Sequence, residues 1–435
     1  TTADQVARSV VGSVPPGITP RPTRRRYPII AAKLPIVSLT MPARATRSAA
    51  ATAAWWPAEI NRVAGLDRAG ALVAFRAAAQ RFDRHVVDQT IMLFSVVQPM
   101  YDLLGRLVAR TGVADVGVLT GGYGGVPENA VVAALWAAAH GELPLAEVIR
   151  RHGYHGPLEG EVSGRVWRED PSPLRRLMAD YAAAGADAAP RQRERLRRAE
   201  RERAERALLA EIPRSARPAV RALLATAARR IPMRGTLKIA FLQALDVARA
   251  CARRFGGLAA QDGALADPED VFYLTTAELL APLPGNVQEL VARRREVREE
   301  YRKLRLPTHF TGMPDAVPDR PNDVVAAGSK LSGVGVSPGV VEGIARVVDD
   351  PSFADVEPGE ILIARTTDPS WASIMFVSAA LVVDIGGALS HAAVVARELG
   401  IPCVVNTGTG TRDLGSGDRI RVDGGSGVVE VLARG

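Results

Sequence analysis

Cysteine is almost missing from these 435 residues: there are two, Cys251 and Cys403, each in an apolar stretch that reads as buried helix or strand. Two such residues build neither a disulfide framework nor a cysteine-based metal site, and they suit a reducing, cytoplasmic setting. Also lacking is an uninterrupted apolar run of the roughly 18 to 20 residues that cross a bilayer. The opening residues TTADQVARSV have no apolar centre of a secretory signal. A membrane protein is therefore not expected. The chain begins with Thr1 rather than Met, as a part excised from a longer protein would. What is abundant is apolar and small: 47% hydrophobic content is enough for two or three ordinary cores, so several domains are expected.

The formal charge of +8 is unevenly spread. Residues 332–435 hold 7 Lys and Arg against 13 Asp and Glu, a net of −6, and the preceding part holds 48 against 34, a net of +14. Much of the basic excess lies in RQRERLRRAERERAER, 191–206, where Arg and Glu interleave at helical spacing as on a solvated face. RPTRRR, 21–26, is a second basic cluster in a Pro-containing segment. Neither has the interleaved aromatics of a nucleic-acid site, so no nucleic acid is expected.

Apolar residues return every three or four positions from about 55 to 307, as in LDRAGALVAFRAAAQRFDRHVVDQ and VQELVARRREVREEYRKL, and this spacing predicts a mainly helical domain. Residues 1–54 read as a loose N-terminal segment. The stretch 308–330, THFTGMPDAVPDRPNDVVAAGSK, is rich in Pro, Asp and Gly and reads as a linker or hinge. Beyond it, in 331–435, the rhythm changes to short β-rich runs (GIARVV, EILIA, ALVVD, IPCVV, RIRV, GVVEVL) alternating with the helical PSWASIMFVSAA and HAAVVARELG. The expected fold class is therefore multidomain: a mainly α-helical domain followed by a compact α/β domain.

The sharpest local signal is GGALSHAAVVARELGIPCVV, 386–405. It sets His391 behind Ser390, after Gly386 and Gly387, at the start of an Ala/Val-rich helix. A helix start presents unpaired N–H groups and the positive end of the dipole, so a phosphate carried by His391 would be favoured there. The plainer reading is a polar helix cap. Gly386 and Gly387 let the backbone approach a ligand closely.

With Thr366-Thr367-Asp368-Pro369-Ser370-Trp371 and Asp384 through Pro402, the region resembles the mobile phosphohistidine domain of PEP-utilising enzymes. That resemblance implies a swivelling domain whose histidine, here His391, carries a phosphoryl group. The threonine common in the family's spacer is replaced here by Ala388 or Leu389. The helical part resembles the substrate-binding domain of the rifampicin phosphotransferase type, at HGPLEGEVSGRVWREDPSPL (155–174) and DPEDVFYLTTAEL (267–279). It departs at 153–157, where that branch often has an Arg after a His, and this leaves the substrate open.

Under the resemblance, a neutral imidazole attacks phosphorus and the helix start supports both its states. Ser390 caps the helix or binds the phosphate, and Arg397 and Arg365 are candidate charge partners. A carrier must be reached by its partners, so His391 is expected to be exposed at the helix start, and a deeply buried ring would defeat the carrier reading. His155 and Glu159 are candidates for an acceptor-side acid or base. TIMLFSVVQPMYDLLGRLV, 90–108, reads as core or as the wall of an apolar pocket.

Family members draw the phosphoryl group from ATP and Mg²⁺ through an ATP-grasp domain. Residues 1 to about 55 are too few to build one, and LTGGYGGV, 119–126, lacks the Walker A lysine. The expected donor is thus an ATP-grasp domain upstream in cis or supplied in trans, with no cofactor or metal held by this chain. The function expected is a phosphotransferase module in which His391 passes the group to a hydroxyl-bearing small molecule on the helical domain. The alternative is a non-catalytic ligand-binding or regulatory protein that kept the fold.

Overall fold

A computed structural model describes residues 27–112, 116–123, 127–156, 159–183, 189–305, 317–318, 326–349, 356–367, 371–388 and 390–435. The basic cluster at 21–26, most of the expected linker at 308–330, Asp368 to Ser370 and Leu389 lie outside them.

Residues 27–54, expected to be loose, belong instead to a 37-residue helix, α1 (Tyr27–Val63). It contains three prolines, Pro35, Pro42 and Pro57, each of which removes a ladder hydrogen bond. Tertiary packing outweighs that loss. Met41, Ala45, Trp56 and Val63 are buried, and Trp56 Nε1 donates to Asp246 at 2.8 Å.

Helix α2 (Arg68–Met92) is capped by Asp67, whose carboxylate accepts from Gly70 N at 2.7 Å. A π-helical turn, Leu93–Val97, runs on into α3 (Gln98–Thr111), which Gly112 ends at φ 66°. By length and composition the stretch Arg68–Thr111 is apolar enough to cross a membrane, against the expectation of no such run. Met92, Val96, Val97 and Leu104 face the interior, and a core helix passes the same test.

The rest of the helical part comprises α4 (Val116–Thr120), α5 (Pro127–Ala139), α6 (Leu145–His152), α7 (Ser172–Ala183), α8 (Pro190–Glu211), α9 (Arg217–Arg230), α10 (Thr236–Gln261), α11 (Thr276–Leu279) and α12 (Val287–Arg302). Helix α10 is its axis, packed along α2 and α1. It carries two buried charges inward. Asp246 accepts from Trp56 and from Arg168 Nη2 at 2.8 Å, and Arg249 donates to the carbonyls of Glu161 at 2.7 Å and Val162 at 3.2 Å. These bonds fasten the irregular 153–170 loop to α10. Within it Gly156 is required, because a Cβ there would overlap the carbonyl of Arg165.

A short ladder pairs β1 (Leu304–Arg305) with β2 (Val317–Pro318). The C-terminal part is one mixed eight-stranded sheet of β3 (Lys330–Ser332), β4 (Val334–Ser337), β5 (Val340–Val348), β6 (Ile361–Ala364), β7 (Ala380–Val383), β8 (Cys403–Val405), β9 (Arg419–Asp423) and β10 (Val428–Ala433). The order is β3-β10-β9-β5-β6-β7-β8-β4, with β5 to β8 parallel and the flanking pairs antiparallel. The parallel strands β6, β7 and β8 are buried on both faces and correspondingly read as unbroken Ile/Val/Leu runs. Helices α13 (Ala372–Val377), α14 (His391–Leu399) and α15 (Gly410–Asp413) connect them.

The helical and α/β parts share a hydrophobic core. Val131, Leu135, Leu174 and Tyr181 pack in one cluster with Leu362, Phe376, Ala393, Val395 and Ala396. Helix α8 takes part in the same seam, so its arginines are not all on a solvated face. Arg193 lies 4.5 Å over the Phe376 ring, and Arg201 lies 4.5 Å over Tyr123.

Candidate functional site

Ser390 sits in extended geometry before α14, and its Oγ accepts from Ala393 N at 3.3 Å, so the motif serine is the N-cap. The turn before it is tightly built. A Cβ on Gly386 would stand 3.1 Å from Ser390 Oγ and 3.2 Å from the Val405 side chain, whereas Gly387 faces open space. Buried Asp384 ends β7 and accepts from Thr407 Oγ1 at 2.8 Å and Thr411 N at 3.1 Å, which ties the turn to the following loops.

His391 is the first residue of α14 but is only 9% exposed, against the expectation of an open ring. The cover comes partly from across the seam. His391 shares a cavity of about 390 Å³ with Gln89, Leu93, Phe94, Gln98, Arg234 and Lys238, all from the helical part. Its Nδ1 is 3.4 Å from Thr367 Oγ1, and its buried Nε2 has no hydrogen-bond partner among the described residues. Burial, then the charges of Lys238, Arg234 and His155, hold the imidazole well below its usual pKa. The ring is therefore neutral at neutral pH, with a nitrogen lone pair free beside two cations.

Arg397 and Arg365, proposed from sequence as charge partners, do not line this cavity. Arg397 is buried and donates to the carbonyls of Val336 at 2.7 Å and Ala388 at 2.6 Å. Six residues along a helix amount to roughly 9 Å and most of two turns, which carries it away from the ring to brace the glycine turn instead. Arg365 is exposed at the end of β6, where its carbonyl accepts from Ile385 N at 2.9 Å.

The structure does bring His155 and Glu159 towards the site. Both are buried; His155 Nδ1 hydrogen-bonds Glu159 Oε1, and Lys238 Nζ lies 3.7 Å from Glu159 Oε2. His155 Nε2 is buried without a partner among the described residues. Neither residue lines the cavity, so they stand behind Lys238 rather than at the reacting position. His152 stacks on His155 at 6.3 Å, and burial, then His155 and Arg151, push its pKa down to about 4. Among the described residues no group of three or more His, Cys, Asp or Glu is placed to hold a metal.

Sequence reasoning missed Gln89, Gln98, Arg234, Lys238 and Thr367. Gln89 and Arg234 meet through a 2.7 Å bond between residues 145 apart, which no spacing rule anticipates. Thr367 had a signal, since it falls within the TTDPSW stretch. Leu93 and Phe94 fall in the apolar run read as core or pocket, and both readings hold: Met92, Val96 and Val97 are core, while the π turn carries Phe94 to the cavity, 72% exposed.

Comparison with known proteins places this architecture. Residues 356–427 match the family described as PEP-utilising enzyme, mobile domain, so this stretch is similar to the mobile domain of the PEP-utilising enzymes. Residues 144–235 match the rifampicin phosphotransferase fourth domain. A rifampicin phosphotransferase of a Streptomyces species is 37% identical over 293 residues, 65% of this chain and 34% of that protein. An uncharacterised protein of Mycobacterium tuberculosis is 36% identical over 280 residues, 64% of this chain and 30% of that one. The uncharacterised phosphotransferase YvkC of Bacillus subtilis is 33% identical over 192 residues, 42% of this chain and 23% of its own. The chain spans about a third of the length of the first two relatives.

Proposed function

We propose that this chain is the acceptor half of a phosphotransferase, in which His391 carries a phosphoryl group and delivers it to a hydroxyl on a small molecule held in the 390 Å³ cavity. The observation that carries the reading is the neutral, unpartnered Nε2 of His391 on a cavity wall shared with Arg234 and Lys238. Phosphate on that nitrogen would meet two cations and the capped start of α14. In the transfer the acceptor oxygen bonds to phosphorus, the N–P bond breaks, and the departing imidazole takes up the hydroxyl proton. Gln89 and Gln98 supply amide groups to orient the acceptor, and Leu93 and Phe94 supply an apolar wall.

Burial of His391 goes against the exposure expected of a carrier; we therefore take this as the delivering position of a swivelling domain, with the ring closed off partly by acceptor-side residues. Charging requires the domain to leave that position and meet a donor. The donor proposed is an ATP-grasp domain using ATP and Mg²⁺, in cis or in trans, in the cytoplasm where ATP is supplied. His155 and Glu159 act on the acceptor side.

The test is to supply an ATP-grasp partner, phosphoryl-labelled ATP and Mg²⁺, and to look for acid-labile, base-stable label on the wild type and on His391→Ala. Rifampicin, the compound in the relatives' names, is the first acceptor to try. Label confined to wild type and discharged by an acceptor supports the reading. A chain that binds ligand tightly but never takes label overturns it in favour of a ligand-binding protein.

A further inference from the structure

The chain contains 51 arginines and only four lysines, Lys33, Lys238, Lys303 and Lys330. Three of the four are exposed; Lys238 is the exception, its side chain 26% exposed on the cavity wall with His391. In a sequence that otherwise uses arginine for positive charge, a lysine here is a chemical choice. A compact ammonium on a flexible stem can be aimed by a neighbour, whereas a guanidinium is a broad, rigid fork. Aiming it needs a fixed counter-charge, and the structure shows one.

Glu159 is buried, its side chain 1% exposed, and its two oxygens are divided. Oε1 takes the hydrogen bond from His155 Nδ1, and Oε2 faces Lys238 Nζ at 3.7 Å. A carboxylate only accepts, so Nδ1 carries the proton of that bond, and the buried Nε2 of His155 has no hydrogen-bond partner among the described residues. His155 is itself held by its carbonyl, which accepts from Trp167 N at 2.7 Å, and by the Tyr154 and Trp167 rings, 4.4 and 5.4 Å away. The 159–162 segment is held by Arg249. The carboxylate is thus anchored from the protein side and turned towards the cavity side, where Arg234 and His391 are the other groups around Lys238.

We propose that Glu159 is a positioning residue: anchored by His155, it holds the Lys238 ammonium on the cavity wall beside His391. The inference deepens the phosphoryl-carrier reading and rests on it for the purpose of that placement, but not for the Glu159–Lys238 linkage itself. Loss of the carboxylate leaves the lysine stem free to leave the wall, with its ammonium no longer supported by a fixed negative charge.

Four lysines make the test direct. The full chain is reductively dimethylated with ¹³C-formaldehyde, and each lysine is followed by NMR, with Lys238→Arg assigning its signal. In Glu159→Gln the Lys238 methyl resonance leaves its wild-type position and narrows towards the linewidth of exposed Lys33, as a stem released from the wall does. In Glu169→Gln it stays at the wild-type position, although Glu169 belongs to the same loop, because its partners are Arg168 and Arg253. A Lys238 resonance unmoved in Glu159→Gln, or moved equally in both variants, overturns the proposal, the second result being what general loosening of the loop would give.

The second arm charges His391 with potassium phosphoramidate. The Lys238 signal then shifts while those of Lys33, Lys303 and Lys330 do not, and the shift is lost in Glu159→Gln. A shift that persists undiminished in Glu159→Gln shows that Glu159 does not hold the ammonium there. A wild-type chain that takes no phosphoryl group on His391 tells against the carrier reading, while the first comparison of variants still decides the Glu159–Lys238 linkage.

Discussion

The guanidinium of Arg197, on α8, lies against Gly400, the residue that ends the helix begun by His391. Gly400 adopts φ 74°, and a Cβ there would overlap the Arg197 side chain. Gly122, at φ 64°, lets the Arg197 backbone come equally close from the other side. The Arg-rich helix therefore reaches the C-terminal end of α14 while the cavity encloses its N-terminal end, and the positive charge faces the negative pole of the helix dipole.

Gly400→Ala is expected to loosen this seam. The positive φ alone costs about 1 kcal/mol or more for a residue with a Cβ, and the overlap with Arg197 adds to it. Adding Arg197→Ala removes the overlap but not the backbone strain, so the double variant should recover part of the loss. Urea midpoints of the three variants measure this; a double variant no more stable than Gly400→Ala would exclude the steric component.

His391→Ala should abolish carrier labelling with little effect on stability. The ring borders an existing cavity, so truncation enlarges that space, and it also removes a buried nitrogen without a partner, a group whose burial costs about 1 to 3 kcal/mol. The two effects oppose each other. A net change within about 1 kcal/mol by denaturant titration is expected, and a larger loss would mark His391 as a structural residue.

Asp246→Asn tests the frame behind the site. Its carboxylate accepts from Trp56 and Arg168, and buried Arg249 lies 3.6 Å from it. Breaking a buried charged network by removing one partner costs about 3 to 5 kcal/mol. Urea unfolding should show that loss, and the Lys238 signal should broaden as the 153–170 loop loses its attachment. Full stability in this variant would mean the network is not what fastens the loop.

Acid should weaken the fold through its histidines. Burial depresses His85, His152 and His391, the second to about 4. In the unfolded chain each returns towards its ordinary 6.5, so below that pH the unfolded state binds more protons and stability falls as pH falls. For His152 the contribution is complete above about pH 6.5 and declines through the window down to about 4. His152→Gln should flatten the dependence of the urea midpoint on pH between 4 and 6.5; an unchanged slope would show that His152 is not a source of it.

Most of the α/β part was legible in short stretches, although β3 and β4 were not expected and Lys330, which opens β3, was read as linker. GIARVV, EILIA, ALVVD, IPCVV, RIRV and GVVEVL all contain or overlap strands, and HAAVVARELG contains α14, because buried parallel strands and capped helices carry their signals within a few residues. The Ser390 cap and the turn at Gly386 and Gly387 were legible for the same reason. The π turn at Leu93–Val97 and the helical state of 27–54 were not. Three prolines inside the helix weaken its local signal, and burial of Trp56 against Asp246 and of Met41 in the core outweighs them.

The sequence could name His391, and it could name His155 with Glu159, since each is written within a short stretch. It could not place Lys238 between them, bring Gln89 to Arg234, or turn Arg397 from a phosphate partner into a brace for the glycine turn. Those outcomes depend on where α2, α10 and α14 meet, and that is set by packing of residues more than a hundred positions apart. Whether a side chain ends up on a cavity wall or behind it is a property of that packing, not of its neighbours in the chain.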